Sequence, residues 1–396
     1  MTTIGVDLRV FNTGRISGVE EYTRMLLAHM VPLDTTIRYR FLIVNRTGAI
    51  PDEDWLVAPH VKVHALTRSS RFMNISMRLS GRPQIDQLVG NPDVFFFPHF
   101  IFGTLSSRCP RVLTFHDLSY ERFPEFLPLR RRLWHRLQMR PRWQAGHADR
   151  LIAVSSSTAR DLRTLYGIAS ERISVVHSGV DPSLQCLSDD QVAAFRRDRG
   201  LPERFILSLC TAEPRKNLVG LVRAFERLAS GPAGKGVHLV IAGEHGWLGS
   251  ALDWAVTHSP YRCRIRLVGP VSSSERAYWY AAASVFAYPS FFEGFGFPPL
   301  EAMACGTPVV TGHHSSLPEV VGDAGLLVDS YDLDAIAAGL AAVLTDRDLH
   351  ALLSRRGIER ARRFSWNHAA EQTLEILVRA GMRNHPHTHA DHDAVY

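Results

Sequence analysis

The residues of this 396-residue chain with chemical potential lie in a few short, glycine-flanked loops. The most informative run is Ser290-Phe291-Phe292-Glu293-Gly294-Phe295-Gly296-Phe297-Pro298-Pro299-Leu300-Glu301, which continues to Gly306-Thr307-Pro308. Gly294 and Gly296 allow close backbone approach, and Pro298-Pro299 suits the first turn of a short helix ending near Gly306. A helix N-terminus reached from a glycine loop offers unpaired N–H groups and a partial positive charge, a natural seat for a diphosphate. Glu293 in the loop and Glu301 eight positions later on the helix then flank that anion at different depths. Carboxylates do not bind phosphate, but they accept hydrogen bonds from hydroxyls. The ligand implied has hydroxyls on both sides of a phosphate group, which describes a nucleotide sugar; the plain alternative is two surface glutamates around an ordinary turn.

A second loop, Thr211-Ala212-Glu213-Pro214-Arg215-Lys216-Asn217, follows an apolar run and sets two adjacent cations where they could neutralise a departing diphosphate. Read alone, Arg215 and Lys216 are equally a solvated pair. Near the N-terminus, Gly14 and Gly18 make another glycine loop at a helix start, where the first loop of a nucleotide-binding fold belongs. The pair His116-Asp117 ends a further apolar run. A catalytic triad is disfavoured there because no G-x-S-x-G nucleophile motif accompanies it.

The elements that must carry these loops are legible as alternation. Thr3–Val10, Tyr39–Val44, Val61–Leu66, Val94–Phe97, Arg111–Phe115, Arg150–Val154 and Ile173–His177 read as strands, several separated by amphipathic stretches such as Val19–Met30. After a polar stretch at Ser183–Asp190, which reads as a hinge, the alternation restarts with Phe205–Cys210, Val237–Ala242, Ile265–Val268, Val285–Tyr288, Pro308–Thr311 and Gly325–Val328. Near-continuous apolar strands with intervening helices argue for parallel sheets covered on both faces. The expected fold is therefore α/β, with two doubly wound Rossmann-like domains. Ligands of such sheets bind beyond the carboxyl ends of the strands, so the site belongs in the cleft between the domains.

Composition narrows the class. Hydrophobic residues make up 45% and charged residues 21%, as in folded globular proteins, which disfavours a mostly disordered chain. The longest aromatic-rich apolar run, Val94 to Phe102, is broken by Pro98 and His99 and falls short of the roughly 20 residues of a membrane span. The N-terminus passes directly into Ile4-Gly5-Val6-Asp7 and reads as a strand and not a signal peptide, so a cytoplasmic protein is expected. Five cysteines without a C-x-x-C pair indicate neither a disulfide framework nor a structural zinc site. The formal charge is +6, but 121–150 holds eight arginines against Glu121, Glu125 and Asp149. Such a basic surface could meet nucleic acid, anionic lipid or a phosphorylated substrate. Residues 382–396 hold several histidines and are expected to be an unstructured tail.

Taken together, the motifs resemble those of the family-four retaining glycosyltransferases, which have the GT-B architecture. Glu293 and Glu301 match the family's E-x7-E motif within Pro289 to Val310, and Ser316 to Ala324, Gly18-Val-Glu-Glu-Tyr22, His116-Asp117, Gly179-Val-Asp181, Pro214-Arg-Lys-Asn217 and Phe364-Ser-Trp366 follow the family's order. The resemblance implies metal-independent transfer of a hexose, mannose first, from a nucleoside diphosphate sugar to a glycan or lipid-linked hydroxyl, in cell-surface polysaccharide synthesis. By position, Arg215 and Lys216 would hold the diphosphate, Glu293 the sugar hydroxyls and Glu301 the ribose. Amides of Gly294, Phe295, Gly296 and Phe297 would meet phosphate or sugar, Gly18 would approach the phosphates, and His116 would stand near the reacting centre. The domains implied are 1–182, completed by a final helix over 365–381, and 183–364. The chain departs from the family pattern at Cys210, commonly glycine, and at Ser273 and Arg276, where an acidic residue and leucine are usual.

The acceptor side rests on a different pattern. Leu129, Leu133 and Leu137 recur every four residues while Arg130, Arg131, Arg132, Arg136 and Arg140 fill other positions, with Trp134 and Trp143 suited to an interface. A helix of this kind suits an anionic membrane or a lipid diphosphate, placing the enzyme peripherally at the inner face of the plasma membrane. The competing arrangement packs the leucines onto the core. Two other functions compete with the transferase: a sugar-nucleotide epimerase of GT-B-like fold, and a basic nucleic-acid-binding protein, the latter lacking any ordered basic–aromatic module.

Overall fold

A computed structural model of the chain describes residues 2–13, 18–45, 49–244, 246 and 249–382. Gly14 and the tail beyond 382 lie outside the described residues. Two all-parallel sheets dominate. The first is ordered β3-β2-β1-β4-β5-β6-β7, from β1 (Thr3–Asp7), β2 (Arg38–Asn45), β3 (Val61–Thr67), β4 (Val94–Phe97), β5 (Arg111–Phe115), β6 (Arg150–Ala153) and β7 (Ile173–Val175). The second is ordered β10-β9-β8-β11-β12-β13, from β8 (Phe205–Leu209), β9 (His238–Ala242), β10 (Ile265–Gly269), β11 (Val285–Tyr288), β12 (Val309–Gly312) and β13 (Leu326–Val328). The expected doubly wound α/β fold is what the chain adopts.

Burial on both faces explains the strand sequences. Val94, Phe95, Phe96 and Phe97 of β4 are fully buried although successive side chains point to opposite faces, as helices cover both. At roughly 1.5–3 kcal/mol per large apolar side chain, these central strands are major contributors to stability. In each sheet the order reverses between two neighbours, β1/β4 and β8/β11, and the crevice beyond such a reversal is where α/β folds bind ligands.

The chain passes between the sheets twice, and the two crossings touch. Residues 176–188 carry neither strand nor helix, and Ser188 then starts the helix Asp189–Asp198 with a capping box to Gln191. The amide of Val180 donates to the carbonyl of Phe364 at 3.1 Å, and a Cβ on Gly179 would stand 2.2 Å from the Trp366 amide nitrogen. Beyond that point the helix Trp366–Met382 returns to the first sheet, lying against the helix Gly18–Met30 and β4 and burying Trp366, Ala370, Thr373 and Leu377. All five cysteines are unpaired. No helix among the described residues is long and apolar enough to cross a membrane.

Candidate active site

Strands β8 and β11 are hydrogen-bonded neighbours, so the loops leaving their carboxyl ends face each other although 77 residues separate Lys216 from Glu293. The loop after β8 makes a single 3-10 turn over Pro214–Lys216 and closes at Asn217 in left-handed geometry (φ 54°). The loop after β11 reaches Gly296 (φ 114°), from which the helix Phe297–Ala304 starts with its two prolines and stops before Gly306 (φ 80°).

These loops bring four charges together. Glu293 Oε1 accepts from Lys216 Nζ at 2.7 Å and Ser290 Oγ at 2.6 Å, and its Oε2 accepts from Arg215 Nη1 at 2.7 Å. Arg215 Nε donates to Glu213 Oε2 at 2.8 Å, and Lys216 Nζ also donates to the Tyr288 hydroxyl at 2.5 Å. Burial alone would raise the Glu293 carboxyl, but Arg215 and Lys216, with hydrogen bonds from Lys216 and Ser290, hold it down at about 2. The same carboxylates hold the Arg215 guanidinium firmly protonated against its burial. The site thus carries two fixed cations and an ionised acceptor. Nζ has three protons and two are committed, leaving one for a ligand.

Glu301 lies on the same helix. Its Oε1 accepts from Arg276 Nη1 at 2.9 Å and its Oε2 from the Tyr280 hydroxyl at 2.7 Å. Burial pushes its carboxyl up, more strongly than Arg276 and the Tyr280 hydrogen bond pull it down, with Glu21 adding to the rise. A carboxylate has about four lone-pair sites, so two contacts leave capacity for a pair of hydroxyls.

The first sheet closes the other side. His116, directly after β5, makes a 2.8 Å hydrogen bond from Nε2 to the Pro98 carbonyl. A carbonyl only accepts, so Nε2 carries the proton and Nδ1 is left as an acceptor. Burial lowers the His116 pKa, keeping the ring neutral. Asp117 does not pair with His116; its Oδ1 accepts from the Ser119 amide and hydroxyl. A cavity of about 280 Å³ lies between the halves, lined by His99, His116, Tyr120, Phe123, His135 and Arg215 among others. Its rim is closed where a Cβ on Gly294 would come within 1.8 Å of the His116 carbonyl oxygen, and where Phe123 and Phe126 meet Phe292 and Phe291.

Of the residues singled out in the sequence, Arg215 and His116 line this cavity, Glu293 joins it through its ion pair with Arg215 and Lys216 through its ion pair with Glu293, and Gly294 abuts His116, whereas Gly296 meets Leu317 and Glu301 lies farther along the helix Phe297–Ala304. Phe295 and Phe297 turn their rings elsewhere, onto Phe364 and Trp366, and only their backbones remain available to a ligand. Gly18 opens the first helix in open space, with nothing within 4 Å of a built Cβ. At the end of β8 the close approach is made by Gly243, whose Cβ would stand 2.0 Å from the Cys210 carbonyl oxygen, so the glycine of this contact sits opposite Cys210. Ser290, at the start of the motif, Tyr288, at the end of β11, and Tyr280, within the helix Arg276–Ala282, hold the motif's charged groups although no spacing in the sequence marks them for that. Away from the cavity, His313, His314 and Asp329 bring possible metal-ligand atoms within 4.8 Å of one another, and His313 and Asp329 are exposed.

The arginine-rich stretch departs from a uniform α-helix. The α-helix Leu129–Leu133 widens without a break into a π-helix over Trp134–Met139, Arg140 is left-handed, and a new helix begins at Pro141. Leu129, Leu133, Trp134 and Leu137 are all exposed, by 69, 48, 48 and 54%, so the leucines do not pack onto the core. Trp143 behaves differently from its expected interfacial place: it is half-buried against Phe102 and His147.

Two family models match the chain, Glycosyltransferase Family 4 over residues 16–184 and Glycosyl transferases group 1 over residues 192–362. The O-antigen chain mannosyltransferase B of Escherichia coli is 34% identical over 288 residues, an alignment covering 71% of each chain. The D-inositol 3-phosphate glycosyltransferase of Kribbella flavida is 35% identical over 237 residues, covering 57% of this chain and 55% of that protein. Among solved structures, the sucrose-phosphate synthase of Thermosynechococcus elongatus superposes with a TM-score of 0.74 at 19% identity, covering 97% of this chain and 100% of that one. An Anabaena protein crystallised with UDP and glucose gives 0.71 at 19% identity, covering 96% and 100%. At these identities the solved structures speak to architecture, and the architecture is the same pair of Rossmann-like sheets.

Proposed function

The chain belongs to the group 1 glycosyltransferases, and from that premise we propose that it transfers a hexose, with retention, from a nucleoside diphosphate sugar to a hydroxyl. The observation that carries this reading is the fixed Arg215–Glu293–Lys216 cluster at the paired ends of β8 and β11, beside a cavity bounded by His116. In the reaction, the bond between the anomeric carbon and the diphosphate oxygen breaks as the acceptor oxygen bonds to the same face of that carbon. The acceptor's proton passes to the departing diphosphate. Arg215 and Lys216 stabilise the charge that develops there, so their cations stand in for a metal ion. Glu293, held ionised by those cations, serves as a hydrogen-bond acceptor for sugar hydroxyls and not as an acid. Glu301 accepts from the ribose. Neutral His116 presents Nδ1 to sugar or acceptor.

The mannosyltransferases among the relatives support GDP-mannose as donor and a growing surface glycan as acceptor. The exposed Leu129, Leu133, Trp134 and Leu137 beside Arg130, Arg132 and Arg136 support a lipid-linked acceptor met at an anionic membrane surface. The decisive experiment is a calorimetric and thermal-shift panel of GDP, UDP, ADP and dTDP with their sugars, with Glu301→Ala as control, followed by determination of product anomeric configuration. Selective stabilisation by one nucleotide, lost in the variant, is expected, because a ligand bound only to the native state raises the melting temperature. Stabilisation by none, or an epimerised nucleotide sugar formed without acceptor, would overturn the reading.

A further inference from the structure

Arg276 stands where the motif has no cation, yet its guanidinium joins two carboxylates carried by helices of different halves. Nη1 donates to Glu301 Oε1 at 2.9 Å and Nη2 to Glu21 Oε1 at 2.5 Å, with the Arg276 side chain only 12% exposed. Glu21 lies in the first turn of the helix Gly18–Met30, and Arg276 opens the helix Arg276–Ala282 of the second half. The Nε of Arg276 is buried and finds no partner among the described residues, so the guanidinium is placed for its two carboxylates at the expense of a third donor.

We propose that Arg276 is an interdomain strut, a positioning residue that holds the first turn of the helix Gly18–Met30 in register with the nucleotide site by gripping Glu21 and Glu301 with one guanidinium. The proposal rests on the assignment of Glu301 to the donor's ribose. Glu301 keeps acceptor capacity after its contacts with Arg276 and Tyr280, so donor and strut are compatible, and the donor need not displace the arginine. What the strut fixes is the distance between that carboxylate and the amides that begin at Gly18, the groups through which the first half can reach a diphosphate. A planar fork can grip two carboxylates from fixed positions, whereas a single ammonium on a flexible stem serves one of them well.

The test measures donor kinetics, nucleotide affinity and solution dimensions for Glu21→Gln, Arg276→Lys, Arg276→Leu and the Glu21→Gln/Arg276→Lys pair. Glu21→Gln and Arg276→Lys each leave Glu301 a neighbour, and each is expected to lower turnover about ten-fold, a size typical of coupling between sites. Their affinity for the free nucleoside diphosphate, measured by calorimetry, should stay within about two-fold of the parent, and the pair should be no worse than either alone. Small-angle scattering should show both variants more extended than the parent. Turnover unchanged in Glu21→Gln and Arg276→Lys, and lost only in Arg276→Leu, would mean that Arg276 merely supports Glu301 and would overturn the strut. A parent protein that binds no nucleoside diphosphate would instead remove the ribose assignment beneath it.

Discussion

At the scale of single residues, the Arg215–Glu293–Lys216 cluster holds its charges in place through its own ion pairs. Lys216 is only 7% exposed and braced by Glu293 and Tyr288, so it cannot swing away, and its charge acts from a fixed point. Lys216→Ala should lower kcat by about two to three orders of magnitude, as loss of one preorganised stabiliser does elsewhere; an unchanged turnover number would remove it from the mechanism. The two glutamates should part company with pH. Glu293 stays ionised down to about 2, whereas burial raises Glu301 above the usual carboxylate range. As pH falls through that raised value Glu301 gains a proton and loses acceptor capacity, so donor KM should rise on mild acidification while the parent fold persists. Calorimetric nucleotide affinity across that range checks this, and a flat profile would contradict it. The spacing of Glu293 and Glu301 was plain in the sequence because one helix carries the second and one loop the first. The partnership of Arg276 with Glu21 was not, since 255 residues separate them and only the closure of two sheets makes them neighbours.

At the scale of elements, the strands were legible because parallel sheets covered on both faces demand unbroken apolar runs, and these runs stand out against amphipathic helices. The stretch 129–140 was less so: its leucine spacing fits a helix, and the chain is helical there, but the change to a wider π-helix over Trp134–Met139 and the exposure of the leucines have no signal in that spacing. Two contacts tie elements across the cleft and are separately testable. In Gly294→Ala the added methyl would meet the His116 backbone carbonyl at 1.8 Å, and that oxygen cannot rotate away as a side chain could, so the halves must separate. We expect turnover to fall and stability to drop by about 1–3 kcal/mol, the usual cost of overpacking; parental activity and melting temperature would refute the contact. Glu319, on the helix Leu317–Val321, accepts from the Ser156 and Ser157 amides at the start of a first-half helix and from His177 Nε2 at 2.6 Å. Although burial opposes it, these bonds lower its carboxyl to about 2. A carboxyl lowered on folding stabilises above its unfolded value, and that contribution disappears as pH falls from about 4.5 toward 2. Glu319→Gln should therefore reduce stability at neutral pH and flatten the acid limb of the parent's stability profile, as read by denaturant melts.

At the scale of the whole molecule, the arginine-rich, leucine-tipped edge faces outward beside the cavity, so an acceptor anchored in a bilayer could present its sugar without leaving it. Flotation with anionic liposomes at low salt is expected, and Leu133→Asp with Trp134→Ala should abolish it while turnover on a soluble acceptor persists; failure of the parent to float would remove the membrane from the picture. The return of the helix Trp366–Met382 has a consequence for how such a chain is made. The groove between the helix Gly18–Met30 and β4 is filled by a helix that follows both only after the whole second sheet. The second sheet can mature as it emerges, but the first must wait through more than two hundred further residues with an apolar seam uncovered. The second half, though it follows the first in the chain, is therefore able to finish before it, and the nascent first half is the part that most needs a chaperone's protection.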